Sequence, residues 1–368
     1  MDTPVDLVVS SPKWNWKACA TGRPNCQEMV QDWRNDGVQS FFTYVQVSSD
    51  STGTPQMLLL GTKISDILFQ LSIFDLTTKS PVAAWRKDGS KCSLDGDLFG
   101  RQFGVYSFQD ALPYLVGYGK PADLMATLSL LPLPDDIHKD QAGIEIFHVS
   151  DTTMVFDIQA GGRVVRTALP PGSAPYVIST LPPGVVLSQP FVVGNDVYAW
   201  SEYGTGDGWA QQYRIDPDGS VLLYRGATGR HMSGFASDGT TMFWVELSGD
   251  TNAAAKTYPT VEIWSAPYTR DSSVLAKTAA LLGTLPGNTL GKDGKAIARG
   301  GHYLLGQTRN VALARSDGMV KLVAPDNSNR IFYWTPYASD TELWVTESEL
   351  VPGENSGISF ERIGITWP

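Results

Sequence analysis

The stretch Ser237-Asp238-Gly239-Thr240-Thr241-Met242-Phe243-Trp244-Val245-Glu246 decides the fold. Its first half is turn chemistry, because Asp-Gly tolerates the positive φ of a tight hairpin. Its second half is an apolar and aromatic run of the length of one strand. The same order returns in Val193-Gly194-Asn195-Asp196-Val197-Tyr198-Ala199-Trp200-Ser201-Glu202 and in Ser339-Asp340-Thr341-Glu342-Leu343-Trp344-Val345-Thr346-Glu347. Weaker copies are Ser150-Asp151-Thr152-Thr153-Met154-Val155-Phe156 and Arg299-Gly300-Gly301-His302-Tyr303-Leu304. The loosest are Gln109-Asp110-Ala111-Leu112-Pro113-Tyr114-Leu115 and Gly53-Thr54-Pro55-Gln56-Met57-Leu58-Leu59.

Aligned on Leu59, Leu115, Val155, Tyr198, Phe243, Tyr303 and Leu343, the copies stand 56, 40, 43, 45, 60 and 40 residues apart. A second hairpin follows each unit. After Trp200 it is Gln211-Gln212-Tyr213-Arg214-Ile215, a turn at Asp216-Pro217-Asp218-Gly219, then Val221-Leu222-Leu223-Tyr224. After Trp244 it is Val261-Glu262-Ile263-Trp264-Ser265-Ala266-Pro267 and later Ser273-Val274-Leu275. Two hairpins in every ~40–45 residues make four-stranded antiparallel blades, and a ring of such blades is a β-propeller. The expectation is an all-β, seven-bladed β-propeller, or six blades if the Leu59 copy is spurious. Asp-Gly recurs as turn punctuation, at Asp95-Gly96 among other places. The best helix candidate is residues 28–33, and residues 249–260 read as an insertion. Residues 1–39 form an N-terminal strand and Cys-containing extension, and 40–368 a single propeller domain. Residues 5–9 are expected to complete the last blade beside 358–367, since an open ring leaves bare edge strands.

The units resemble the YWTD and NHL type of propeller repeat, the likeness resting on Trp200-Ser201-Glu202, Trp244-Val245-Glu246 and Trp344-Val345-Thr346. It is a likeness of repeat style over residues 40–368. It implies a scaffold, and such rings serve as enzymes, receptors and adaptors alike. Glu202, Glu246 and Glu347 have two readings. One is a ring of carboxylates at one end of the channel. The other, favoured because a repeated residue serves every blade alike, is a hydrogen bond from each acid to the neighbouring blade.

Composition narrows the function. Of 368 residues, 36 are Gly and 23 are Pro, aromatic residues make up 11% and charged residues only 18%, which excludes a disordered chain or a coiled coil. A net charge of -10 argues against nucleic acid, whose binding needs clustered Lys and Arg. The best apolar run, Met57-Leu58-Leu59-Leu60, falls far short of the ~18 residues of a membrane helix. Cys19 and Cys26 bracket a short Gly- and Pro-containing loop that suits a disulfide, with Cys92 left over. This favours an exported protein, secreted, periplasmic or at a cell surface, with the cytoplasm as the alternative. Met1-Asp2-Thr3-Pro4 lacks the positive start and apolar core of a signal peptide, as expected either of a cytosolic protein or of a mature chain whose leader was replaced by a start methionine.

No Gly-X-Ser-X-Gly elbow and no His-Glu-X-X-His occurs, and His138, His148, His231 and His302 never fall at metal-ligand spacing. No metal and no cofactor is assigned. Asymmetric polar residues near the starts of innermost strands are therefore the candidates. Arg101, Gln102, Glu145, Gln189, Arg230, Lys295 and Arg330 are expected near the channel mouth, where the arginines suit an anionic ligand. His231, beside Arg230, is the candidate proton exchanger. Trp209 follows a glycine-rich loop and could stack on a ligand ring. The functional expectation is a monomeric binding or interaction propeller for a small, anionic ligand or a protein partner. The alternative is an enzyme (hydrolase, lyase or isomerase) working in the channel mouth.

Overall fold

A computed structural model describes residues 6–7, 14–18, 26–31, 41–49, 55–63, 68–78, 80–88, 93–99, 101–109, 112–120, 129–130, 144–158, 163–170, 173–174, 176–181, 187–201, 211–226, 230–248, 260–286, 295–306, 311–318, 320–323, 330–338, 342–349 and 357–364. Three strands come first: β1 (Asp6–Leu7), β2 (Trp14–Ala18) and β3 (Cys26–Gln31). Blade one is β4 (Phe41–Ser49), β5 (Pro55–Lys63), β6 (Leu68–Asp75) and β7 (Ser80–Asp88). Blade two is β8 (Ser93–Phe99), β9 (Gln102–Gln109), β10 (Leu112–Gly119) and β11 (Ser129–Leu130). Blade three is β12 (Ile144–Val149), β13 (Thr153–Ile158), β14 (Arg163–Ala168) and β15 (Val177–Thr180). Blade four is β16 (Leu187–Val193), β17 (Asp196–Ser201), β18 (Gln211–Asp216) and β19 (Gly219–Arg225). Blade five is β20 (Arg230–Ser237), β21 (Thr241–Ser248), β22 (Thr260–Pro267) and β23 (Ala280–Pro286), with helix α1 (Ser272–Thr278) before its last strand. Blade six is β24 (Lys295–Arg299), β25 (His302–Gly306), β26 (Val311–Arg315) and β27 (Val320–Val323). Blade seven begins with β28 (Arg330–Ala338), β29 (Glu342–Glu349) and β30 (Gly357–Gly364).

Every described sheet is an antiparallel meander in chain order, apart from the additions made by the N-terminal strands. The first strand of each blade touches the first strand of the next: β4 to β8, β12, β16, β20, β24, β28 and back to β4. That closed circuit of seven innermost strands is a seven-bladed β-propeller, as the repeat spacing implied.

Closure is made by a different segment from the expected one. Strand β3 pairs with β30, Cys26 opposite Glu361 and Val30 opposite Gly357, and β2 pairs outside it. Residues 28–33 were the best helix candidate, yet Cys26–Gln31 is strand, because its backbone groups find partners on the otherwise bare edge of β30. From the expected closing segment 5–9, the described Asp6–Leu7 pairs instead with β7 of blade one.

Three further readings change. Leu115 lies in β10, the third strand of blade two; the second is β9, which opens Gln102-Phe103-Gly104. The Asp95-Gly96 pair is not a turn but lies inside β8, where a Cβ on Gly96 would come within 2.7 Å of the Phe103 ring. The apolar Ser273-Val274-Leu275 is helix. Asp271 caps it by accepting from Ser273 N at 2.7 Å and Val274 N at 3.2 Å. Its one buried side chain, Leu275, seals the outside of a cluster with Leu223 and Trp264.

Burial between blades holds the ring. Trp244, fully buried, lies 4.9 Å from Tyr224 and 6.0 Å from Phe235, and Phe235 continues to Phe191 at 5.0 Å. This aromatic column joins blades four and five. Trp244 and Trp264 thus fill the space between blades four and five. Between blades five and six, Phe243 stacks on Tyr303 at 5.4 Å, and the Tyr303 hydroxyl donates to the Gly234 carbonyl. Gly234, at φ +59°, cannot be replaced cheaply: a Cβ would meet that hydroxyl at 2.6 Å.

Candidate functional site at the two ends of the ring

Antiparallel order gives the ring two distinct ends. The innermost strands begin at one, here called the opening end. The connections from first to second and from third to fourth strand lie at the other, the turn end.

The turn end is stitched from blade to blade. In the Ser237–Thr241 turn, Asp238 Oδ1 accepts from the backbone of Thr240 and Thr241, both at 2.8 Å. Asp238 Oδ2 accepts from Gly301 N of blade six at 2.6 Å. Burial opposes the Asp238 charge, but these hydrogen bonds outweigh it and hold its pKa below the usual carboxylate range. Between blades four and five, Tyr268 Oη donates to Asp196 Oδ2 at 2.6 Å and meets Tyr198 Oη at 2.7 Å. Arg270 reaches Asp196 at 3.3 Å and Asp216 at 3.7 Å. Arg214 forks onto both Asp216 oxygens at 2.8 and 2.6 Å, and this pairing lowers the Asp216 pKa.

Two residues expected at the channel mouth belong to this stitching. Arg101 follows β8, donates to Gln56 of blade one and stands 3.9 Å from Asp75. Gln102 opens β9 and donates to Asp151 of blade three. Both therefore sit at the turn end, away from the other candidates. The slip follows from the misplaced second strand of blade two, which moved the expected innermost strand along the chain.

The remaining candidates share the opening end. Arg230 and His231 are the first two residues of β20, Lys295 the first of β24 and Arg330 the first of β28. Glu145 is second in β12 and Gln189 third in β16. Strands β20, β24 and β28 are consecutive in the ring, so three neighbouring blades begin with a cation. In register, Arg230 is opposite Ser248 and Lys295 opposite Gly306, whereas Arg330 is opposite Glu349. Trp209 and Glu202 fall outside the described residues, in the segment joining β17 to β18.

Glu246 takes the structural role. It is 1% exposed, and its Oε1 accepts from Tyr224 Oη of the preceding blade at 2.7 Å and from Trp244 Nε1 at 3.3 Å. Among the described residues no group of three or more His, Cys, Asp and Glu side chains is placed to hold a metal ion. Cys26 opens β3, Cys19 and Cys92 lie outside the described residues, and no disulfide is seen among the described ones. No helix among the described residues is long and apolar enough to cross a membrane.

No protein-family model and no curated protein matches the chain. Solved structures do. An oligogalacturonate lyase in complex with manganese superposes with a TM-score of 0.55 at 13% identity, covering 95% of this chain and 96% of that one. The β-propeller domain of the Trilobed protease from Pyrococcus furiosus gives 0.52 at 8% identity, covering 89% and 98%. The Neurospora crassa Pan2 WD40 domain gives 0.51 at 8% identity, covering 97% and 98%. These likenesses establish the propeller fold. They include enzymes and a WD40 protein, so fold alone does not select an activity.

Proposed function

We propose that the protein is a binding propeller that takes a small anionic ligand at the opening end of its ring. The observation that carries this reading is that β20, β24 and β28, neighbours in the circuit, begin with Arg230, Lys295 and Arg330. On a chain of net charge -10, cations gathered from three blades at one rim form a local field that attracts an anion. In register Arg230 stands opposite Ser248 and Lys295 opposite Gly306, whereas Arg330 stands opposite Glu349, so the first two are expected to supply more of it. Gln189, third in β16, stands at the same end.

Calorimetric titration with citrate, a compact trianion, tests the proposal. The account expects saturable binding that weakens as salt rises. Arg230→Ala combined with Lys295→Ala should weaken it about a hundredfold, roughly 2.7 kcal/mol. Arg330→Ala should cost about tenfold, ~1.4 kcal/mol. Undiminished affinity in the double variant would remove the assignment.

A further inference from the structure

From blade three to blade six, neighbouring blades meet through one residue from each second strand. Phe243 and Tyr303 fill this position between blades five and six, and Tyr198 and Met242 fill it between blades four and five. Between blades three and four the corresponding residues are Val155 and Val197. Two valines occupy far less space than two rings. A cleft of about 240 Å³ remains there, at the turn end of the interface.

Strand pairing determines what lines it. His148 is opposite Val155, and Val155 is opposite Arg166, so the three form a row on the face of blade three that looks toward blade four. Val192 and Val197, opposite each other in β16 and β17, form the facing wall, and the turn residues Ser150, Thr152, Thr153, Gly194 and Asn195 make a polar rim. Among the described residues the side chains of Arg166, His148 and Asn195 make no hydrogen bond or ion pair. Asp216 feels the Arg166 charge, but its oxygens are taken by the Arg214 fork and by Arg270, so no carboxylate is in direct contact with Arg166 among the described residues. Burial pushes the His148 pKa down, so near neutral pH the imidazole is a hydrogen-bonding group and not a second cation.

We infer that this cleft is a binding site for a small monocarboxylate, its carboxylate on Arg166 and its apolar body between Val155, Val192 and Val197. A single positive charge calls for a single negative one. The planar guanidinium fork matches a carboxylate, and Val192, over the buried Val155 and Val197, gives a short organic body an apolar floor that a hydrated anion such as phosphate would not use. Size agrees: an apolar cavity of ~150 Å³ takes benzene, so this cleft has room for a short acyl chain or an aromatic acid. The site lies at the opposite end from the citrate site proposed above and stands independently of it.

The test is titration of the full chain with butyrate, followed by amide NMR or calorimetry, with butyramide as the uncharged isostere. A dissociation constant on the order of 1 mM suits a ligand of this size. Butyramide should bind at least about tenfold more weakly. Arg166→Met should weaken butyrate about tenfold or more. Val197→Met, which gives blade four the residue that blade five carries at this position, should fill the cleft and block binding. Melting curves confirm that both variants fold. No saturable binding through about 30 mM butyrate, or full affinity retained in both folded variants, overturns the inference.

Discussion

At the turn end of the ring Asp238 is tied to Gly301, Asp196 to Tyr268 and Arg270, Gln102 to Asp151, and Arg101 to Gln56. At the opening end three consecutive innermost strands begin with Arg230, Lys295 and Arg330, two of them opposite uncharged partners. The contrast follows from what each end must do. Where these turns of adjacent blades approach one another, polar groups pair across the gap, the cleft between blades three and four being the exception. Three neighbouring innermost strands begin at the opening end with a basic residue, the arrangement on which the proposed anion site rests. Substitutions at the turn end should therefore change stability and leave citrate affinity alone. Those at the opening end should do the reverse.

The largest effect tests whether buried acids near the opening end belong to the scaffold. Glu246→Ala removes the acceptor of Tyr224 and Trp244 in a buried site, and should cost about 2–3 kcal/mol of unfolding free energy in urea titration. Any folded fraction should bind citrate normally. Selective loss of citrate binding at full stability would move Glu246 into the ligand site.

Next is Asp238→Asn, which keeps one acceptor oxygen and loses the charge that Gly301, Thr240 and Thr241 stabilise. It should cost about 1 kcal/mol at neutral pH. The sign with pH is set by the depressed native pKa. The charge contributes stability in full above the unfolded value of about 4, and that contribution fades as pH falls through the native pKa. Wild type and variant should therefore converge in acid. A gap that widens on acidification would contradict the stitching.

The smallest effect is that of Arg101→Ala. Its side chain is 61% exposed, and exposed pairs contribute little, so stability should change by less than about 1 kcal/mol. Citrate affinity should not change; a marked loss would return Arg101 to the ligand site and erase the difference between the two ends.

The sequence shows where these contrasts could be read in advance. The units around Tyr198, Phe243 and Leu343 were legible because each couples a turn to a Trp-containing apolar strand. Blade two was not, because its second strand carries Gly104 where the others carry a large apolar residue, and because Asp95-Gly96 resembles a turn. Its glycine instead answers the close approach of Phe103, which depends on packing across strands. Closure by Cys26–Gln31 was hidden for a similar reason: the segment carries no strong strand pattern, and it is the open edge of β30, far away in the chain, that makes it a strand. Arg230, His231, Lys295 and Arg330 could be placed from repeat spacing alone. The cleft of Arg166 could not, since His148, Arg166 and Val197 become neighbours only through pairing within one blade and packing against the next.

Amide hydrogen exchange of the full chain, with and without saturating citrate, tests the central claim most directly. Exchange should slow at the first residues of β20, β24 and β28, with the Asp238–Thr241 and Gly300–Gly301 turns unchanged. Protection confined to those turns, with the three strand starts unaffected, would contradict it.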